Sequence, residues 1–176
     1  MEENKGLLLK SAMSYGLAMG IFWVIKYLFL IFGYSIPALI YIYELLCIAV
    51  PFIAYYMTKR YRQDIGGNIS FFHAWRFGIM LYFFAALIVS IEHFIFFQFI
   101  APPDFISNTI NMAMNTLKNA DVNSEVIDAI SRTNFTPTHM AIQQIFNNIF
   151  YGIILSVPVA ALVCRKQTAG PVPEEQ

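Results

Sequence analysis

The sequence predicts an all-α, four-span transmembrane helical bundle with an amphipathic helical insertion between spans three and four. Three observations carry that prediction. Four apolar runs occur, at about 11–32, 36–57, 71–100 and 138–164. Each is long enough to cross a hydrocarbon core of roughly 30 Å at about 1.5 Å per residue. Hydrophobic residues make up 58% of the 176-residue chain and charged residues 12%, outside the range of soluble globular domains. The cations are also segregated. Lys5, Lys10, Lys59, Arg60, Arg62, Arg76, Arg165 and Lys166 flank the spans at the two termini and the 58–70 connection, whereas the long third connection holds Lys118 and Arg132. Positively charged loops stay cytoplasmic, so both termini are expected inside and the third connection outside.

The first run is too long for a secretory signal, lacks a small-x-small ending and is interrupted by Lys26, so it is read as a retained span. Gly33–Ser35, followed by Pro37, predicts a tight outer hairpin between spans one and two. Gly66 and Gly67 predict the turn that ends the basic segment. Ser70 is a candidate N-cap for span three, with Phe71, Phe72 and Trp75 as an interfacial belt and Arg76 as its anchor. Pro102 and Pro103 stop that span.

Within the outer insertion 101–137, Phe105, Ile106, Ile110, Ala113, Met114 and Leu117 recur at helical spacing between polar residues. Val122, Val126, Ile127 and Ile130 repeat the pattern. One or two amphipathic helices on the membrane surface or over the bundle are expected. Asn134 and Thr136 fit a glycosylation sequon, with nothing to show that the chain meets that machinery. Residues 1–166 are expected to form one integral membrane domain and 167–176 a disordered cytoplasmic tail.

Span three opens with Asn68-Ile69-Ser70-Phe71-Phe72-His73-Ala74-Trp75-Arg76-Phe77-Gly78 and closes with Phe97-Gln98-Phe99-Ile100-Ala101-Pro102-Pro103-Asp104-Phe105. With four spans and a helical outer insertion, the chain resembles the domain-of-unknown-function 4199 family of bacterial inner-membrane proteins. The resemblance covers most of the chain. It implies a four-span protein of Bacteroidetes-type bacteria, located in the inner (plasma) membrane, and it carries over no activity and no catalytic residue.

Polar residues inside the spans are the candidate functional groups. Lys26, Glu44 and Glu92 lie 16, 15 and 16 residues from Lys10, Lys59 and Arg76, which places all three roughly 23 Å above those anchors. Asn148 and Asn147 lie 17 and 18 residues from Arg165, at about 26 Å, with Gln143 and Gln144 a turn further out. Together with His93 these define a candidate intramembrane polar layer: Lys26, Glu44, Glu92, His93, Asn147 and Asn148. A lone charge in hydrocarbon costs from about 3 to over 10 kcal/mol, so pairing is expected. The short hairpin favours Lys26 with Glu44 and leaves Glu92 as the surplus carboxylate. His93 points about 100° away from Glu92 and need not share its site. Snorkelling to the outer interface, or simple structural pairing, is the competing account of these groups.

Small residues recur every four positions as Ala12, Gly16, Gly20 in span one and Gly152, Ser156, Ala160 in span four. Such stripes let backbones approach closely, so spans one and four are expected to pack together through them; homodimerisation is the competing arrangement. Pro51 and Pro158 sit at similar depth and permit kinks of the kind that transporters use.

No HExxH, GxSxG, GxGxxG or P-loop pattern occurs. His73, His93 and His139 fall at three levels, and Cys47 and Cys164 at two, as small apolar core residues. No enzyme activity, catalytic residue, cofactor or metal is therefore expected, and no nucleic-acid partner, since the net charge is zero. The expected function is a non-enzymatic membrane scaffold or accessory subunit. Its partners would be the lipid bilayer and a second copy or another membrane protein. The alternative is a small ion- or proton-coupled transporter or channel-like protein that uses the Lys26, Glu44 and Glu92 layer, as a dimer if the stripes meet between copies.

Overall fold

The structure is a computed structural model that describes residues 5–33, 35–120 and 122–164. Arg165, Lys166 and the expected disordered tail lie outside the described residues. Six α-helices follow in order: α1 (Lys5–Gly33), α2 (Ala38–Asp64), α3 (Phe71–Ile95), α4 (Phe105–Asn119), α5 (Ser124–Ser131) and α6 (Pro137–Val163). Four are long and apolar enough to cross a membrane: α1 from Gly6, α2, α3 with its continuation to Ile100, and α6. They mark the chain as a membrane protein.

The four long helices form a ring in the order α1, α3, α6, α2. α3 packs most extensively, on α1 along one side and on α6 along the other. α1 and α6 stand diagonally, with at most marginal contact. The expected pairing of spans one and four through their small residues is therefore corrected. Both stripes face α3 instead. A Cβ placed on Gly16 would stand 2.5 Å from the Phe84 Cβ, and one on Gly20 would stand 2.7 Å from the Ile88 Cβ. On the other side Gly152 abuts the Tyr82 side chain, and Ser156 fills the space beside Gly78. The reason lies in α3 itself. Its Ala74, Gly78, Ala85 and Ala86 are all buried, so it offers thin surfaces to two neighbours at once.

Helix ends follow local chemistry. The Ser70 hydroxyl accepts from the His73 N–H and opens α3, and the Thr136 hydroxyl accepts from the His139 N–H and opens α6. Positive φ at Gly66 (97°) and Gly67 (84°) makes the turn after α2. That helix runs past the expected boundary at residue 57, through the basic segment to Asp64. Arg62 explains the extension, because it donates to the carbonyls of Gly67 and Val163 and ties the turn to the end of α6. Nearby, the Tyr61 ring stacks on Phe77 and its hydroxyl lies 2.7 Å from His73 Nε2. Trp75 donates to the Ile153 carbonyl of α6. This end of the bundle, opposite the α4–α5 insertion, is closely packed around buried Tyr61, Ala74, Phe77 and Val163.

At the insertion end α3 loosens into a π-helical turn, Phe96–Ile100, closed by the Ala101 N–H on the Phe96 carbonyl. The insertion is helical in two pieces. Phe105, Ile106, Thr109, Ile110, Met114 and Leu117 share the half-buried face of α4. Phe105 sets its ring edge-on to Phe96 and near Phe97, which fixes the start of α4 against the π turn.

Candidate functional site

Each helix brings one stripe of side chains to the insertion half of the ring. On α1, Met19, Trp23 and Lys26 are buried at spacings of three and four residues, with Tyr27 and Leu30 continuing the same face. On α2 the stripe is Tyr43, Cys47, Val50 and Ala54, and on α6 it is Gln144, Asn148 and Leu155. Lys26 is only 6% exposed, although it carries a cation. Its Nζ lies 4.3 Å from the ring centroid of Tyr27 and 5.4 Å from those of Trp23 and Tyr43. Three ring faces thus enclose the ammonium, and desolvated cation–π contacts of this kind contribute up to about 2 kcal/mol each. Cys47 and Glu92 are its electrostatic neighbours.

Two chambers meet at this point. The first, of about 480 Å³, lies between α1, α2 and α6 and holds Lys26, Tyr43, Cys47, Asn147 and Asn148, with Tyr82 of α3 on its wall. The second, of about 220 Å³, lies between α1, α3 and α6, holds Glu92 and His93, and is bounded on the insertion side by Phe105 and Thr109 of α4. Tyr27, Leu30 and Gln144 line both chambers and form the partition. Tyr27 is held there from two sides. Its ring stands edge-on to His93 at 4.4 Å and tilts against Tyr43 at 5.7 Å. Pro51 adds a polar feature on the α2 side: it has no N–H to offer the carbonyl four residues earlier, that of Cys47 on the chamber wall.

Among the described residues, five buried side-chain atoms lack a hydrogen-bond partner: Trp23 Nε1, Tyr82 OH, both carboxylate oxygens of Glu92, and Asn148 Nδ2. All five belong to residues that line the two chambers. Asn148 lies beside the Tyr27 hydroxyl without reaching hydrogen-bonding geometry. Each such atom in an apolar setting costs about 1–3 kcal/mol, and a carboxylate more. Water or a ligand in the chambers would offset that cost.

Of the six polar residues singled out in sequence, five line these chambers. Lys26, Asn147 and Asn148 line the larger one, and Glu92 and His93 the smaller. Glu44 does not join them. It is exposed on the outward face of α2, and the expected Lys26–Glu44 pair gives way to Glu92 as the carboxylate that acts on Lys26. Helical phase is the reason, because Glu44 stands one residue, about 100°, off the inward stripe of Tyr43 and Cys47. His93 does share the walls of Glu92, since the smaller chamber spans the angle between them. Cys47 is a half-buried wall residue rather than core. Trp23, Tyr27, Tyr43 and Tyr82 were missed. Spacing could have found Trp23, three residues from Lys26, and Tyr43, four from Cys47, on the same faces; Tyr27, adjacent to Lys26, and Tyr82, on α3, carry no such signal. Gln143 donates to Asn147 along α6. His73 and His139 lie elsewhere, on Tyr61 and on the Asn134 carbonyl, and among the described residues no three His, Cys, Asp or Glu side chains gather as metal ligands.

No curated protein and no solved structure matches the chain. One family does, and it matches residues 14–165, from the first span to just past the end of the last. The stretch includes every wall residue of both chambers, and the chain belongs to the family described as "Protein of unknown function (DUF4199)".

Proposed function

We propose that this protein is a small transporter-type ligand-binding membrane protein whose ligand occupies the Lys26 and Glu92 chambers. The observation that carries this reading is the convergence of all five described orphan polar atoms on those chambers. A layer built only to hold helices together would satisfy its own polar groups. The chambers also stop midway. Below Val50, Tyr82 and Leu155 the ring closes on Phe77, Leu81, Val159 and Ala160, all buried. The ligand is therefore reached from one side. The wall carries one cation and one carboxylate, so it suits a ligand with both acceptor and donor groups.

In this reading both termini are cytoplasmic, the membrane is a bacterial plasma membrane, and the chambers open toward the outer side. The segregation of eight flanking cations from the two of the insertion supports that orientation. The scaffold reading keeps one observation in its favour. The outward face of α2 exposes Tyr41, Glu44, Leu45, Ile48 and Phe52, a surface suited to a second copy or another membrane protein.

Replacement of Glu92 by Leu separates the two readings. In a binding site the unpaired carboxylate is a liability, so Glu92→Leu is expected to keep or raise the melting temperature of the detergent-solubilised protein. A loss of several degrees would mean that Glu92 holds the bundle together, and would favour the scaffold.

A further inference from the structure

Glu92 borders a third space as well. On the outer surface of the ring, between α1 and α3, runs an apolar groove of about 500 Å³ walled by Leu28, Phe32, Ile88, Ile91 and Ile95. Ile31, Glu92 and Phe96 line both this groove and the smaller chamber, so the two adjoin along that seam. The groove wall has no charged residue other than Glu92. Leu28, Phe32, Ile91 and Ile95 are exposed, and in a bilayer such a face meets acyl chains.

We propose that the groove and the smaller chamber together bind one amphiphile: an aminophospholipid whose acyl chain lies in the α1–α3 groove and whose primary ammonium is held by Glu92. The inference rests on the ligand-binding reading above and names its ligand class. The chemistry of the walls selects the headgroup. Both Glu92 oxygens are buried with no partner, so they require a donor. A primary ammonium supplies three N–H donors and a compensating charge, whereas a choline headgroup supplies charge without donors. Lys26 stands on the other side of Tyr27, close enough to act electrostatically on Glu92. One lysine and one glutamate sum to zero, so a zwitterionic headgroup leaves the membrane-embedded site neutral. An anionic headgroup does not. The π-helical turn at Phe96–Ile100 fits the same picture, because such turns re-aim side chains at binding sites, and here Phe96 and Phe97 bring both rings onto the smaller chamber.

The test uses the full chain, reconstituted in nanodiscs of equal parts phosphatidylethanolamine, phosphatidylcholine and phosphatidylglycerol. The protein is extracted into mild detergent and its retained lipids are counted by native mass spectrometry. The expected result is retention of phosphatidylethanolamine over both others by about tenfold, the worth of one charge-assisted hydrogen bond. Glu92→Gln should abolish the preference, and Glu44→Gln, which changes the outward carboxylate of α2, should preserve it. Equal retention of the three lipids, or a preference that survives Glu92→Gln, would overturn the proposal. Neither outcome bears on whether Glu92→Leu keeps the bundle stable, so the broader ligand-binding reading stands or falls separately. A wild-type preference for phosphatidylglycerol would also overturn it and would point to Lys26 as the headgroup contact.

Discussion

The Lys26 ammonium lies 4.3 Å from the centroid of the Tyr27 ring, so a buried cation in this bundle rests on its neighbour's π face. Tyr27 also lies, with Leu30 and Gln144, in the partition between two chambers, and of these three it is the one that contacts the cation. That double role predicts non-additivity. Tyr27→Leu should destabilise the protein by about 2–3 kcal/mol, because it removes the closest ring from a desolvated cation and opens a void. Lys26→Met alone should cost little. In the double variant the loss should shrink by about 1 kcal/mol, as the cation that needed the ring is gone. Thermal unfolding of the four proteins in one detergent measures this, and strict additivity would mean that ammonium and ring do not interact.

Gly78 and Ser156 contend for the same volume between α3 and α6. Gly78→Ala places a methyl against the Ser156 hydroxyl and should cost about 1–3 kcal/mol. Adding Ser156→Gly should restore most of that loss by vacating the space. A double variant as unstable as the single one would show that the helices meet elsewhere.

Much of this fold was legible in the sequence because hydropathy and length act over whole spans, where single residues average out. The N-cap at Ser70 and the turn at Gly66-Gly67 were legible for a local reason, since cap and turn chemistry is confined to a few residues. Three features were not legible. The small-residue stripes mark where a backbone can be approached closely but carry no label for the partner, and α3 has thin surfaces on two sides. The continuation of α2 to Asp64 depends on Arg62 reaching Val163, which is 101 residues away. The choice between Glu44 and Glu92 turns on helical phase, and depth counted from an anchor contains no phase. Five of six layer residues could be found by depth alone; the sixth needed the stripe of Tyr43 and Cys47 beside it.

Arg62 predicts a local effect. Arg62→Ala removes donors to the Gly67 and Val163 carbonyls and should cost about 2 kcal/mol. Hydrogen–deuterium exchange should rise in residues 65–70 and 160–164 while the insertion end keeps its protection. Unchanged exchange in both stretches would show that the turn and the end of α6 are held by other contacts.

Orientation predicts labelling. A cysteine at position 118 should react with an impermeant maleimide on intact cells or spheroplasts, and one at position 63 should react only after permeabilisation. The reverse pattern would place the chambers on the cytoplasmic side and invert the direction from which ligand arrives.

In the ligand-binding reading the chambers are open to water and ligand from the insertion side. Cys47 reports on it directly, because it lies on the wall of the larger chamber beside Lys26 and is one of only two cysteines in the chain. In a Cys164→Ala background, a small charged methanethiosulfonate reagent added to the insertion side of sealed vesicles should modify Cys47 in the folded protein. The same reagent added to the opposite side should not, because the closely packed half of the ring intervenes. Modification that requires unfolding from either side would mean a dry chamber, and would contradict the account.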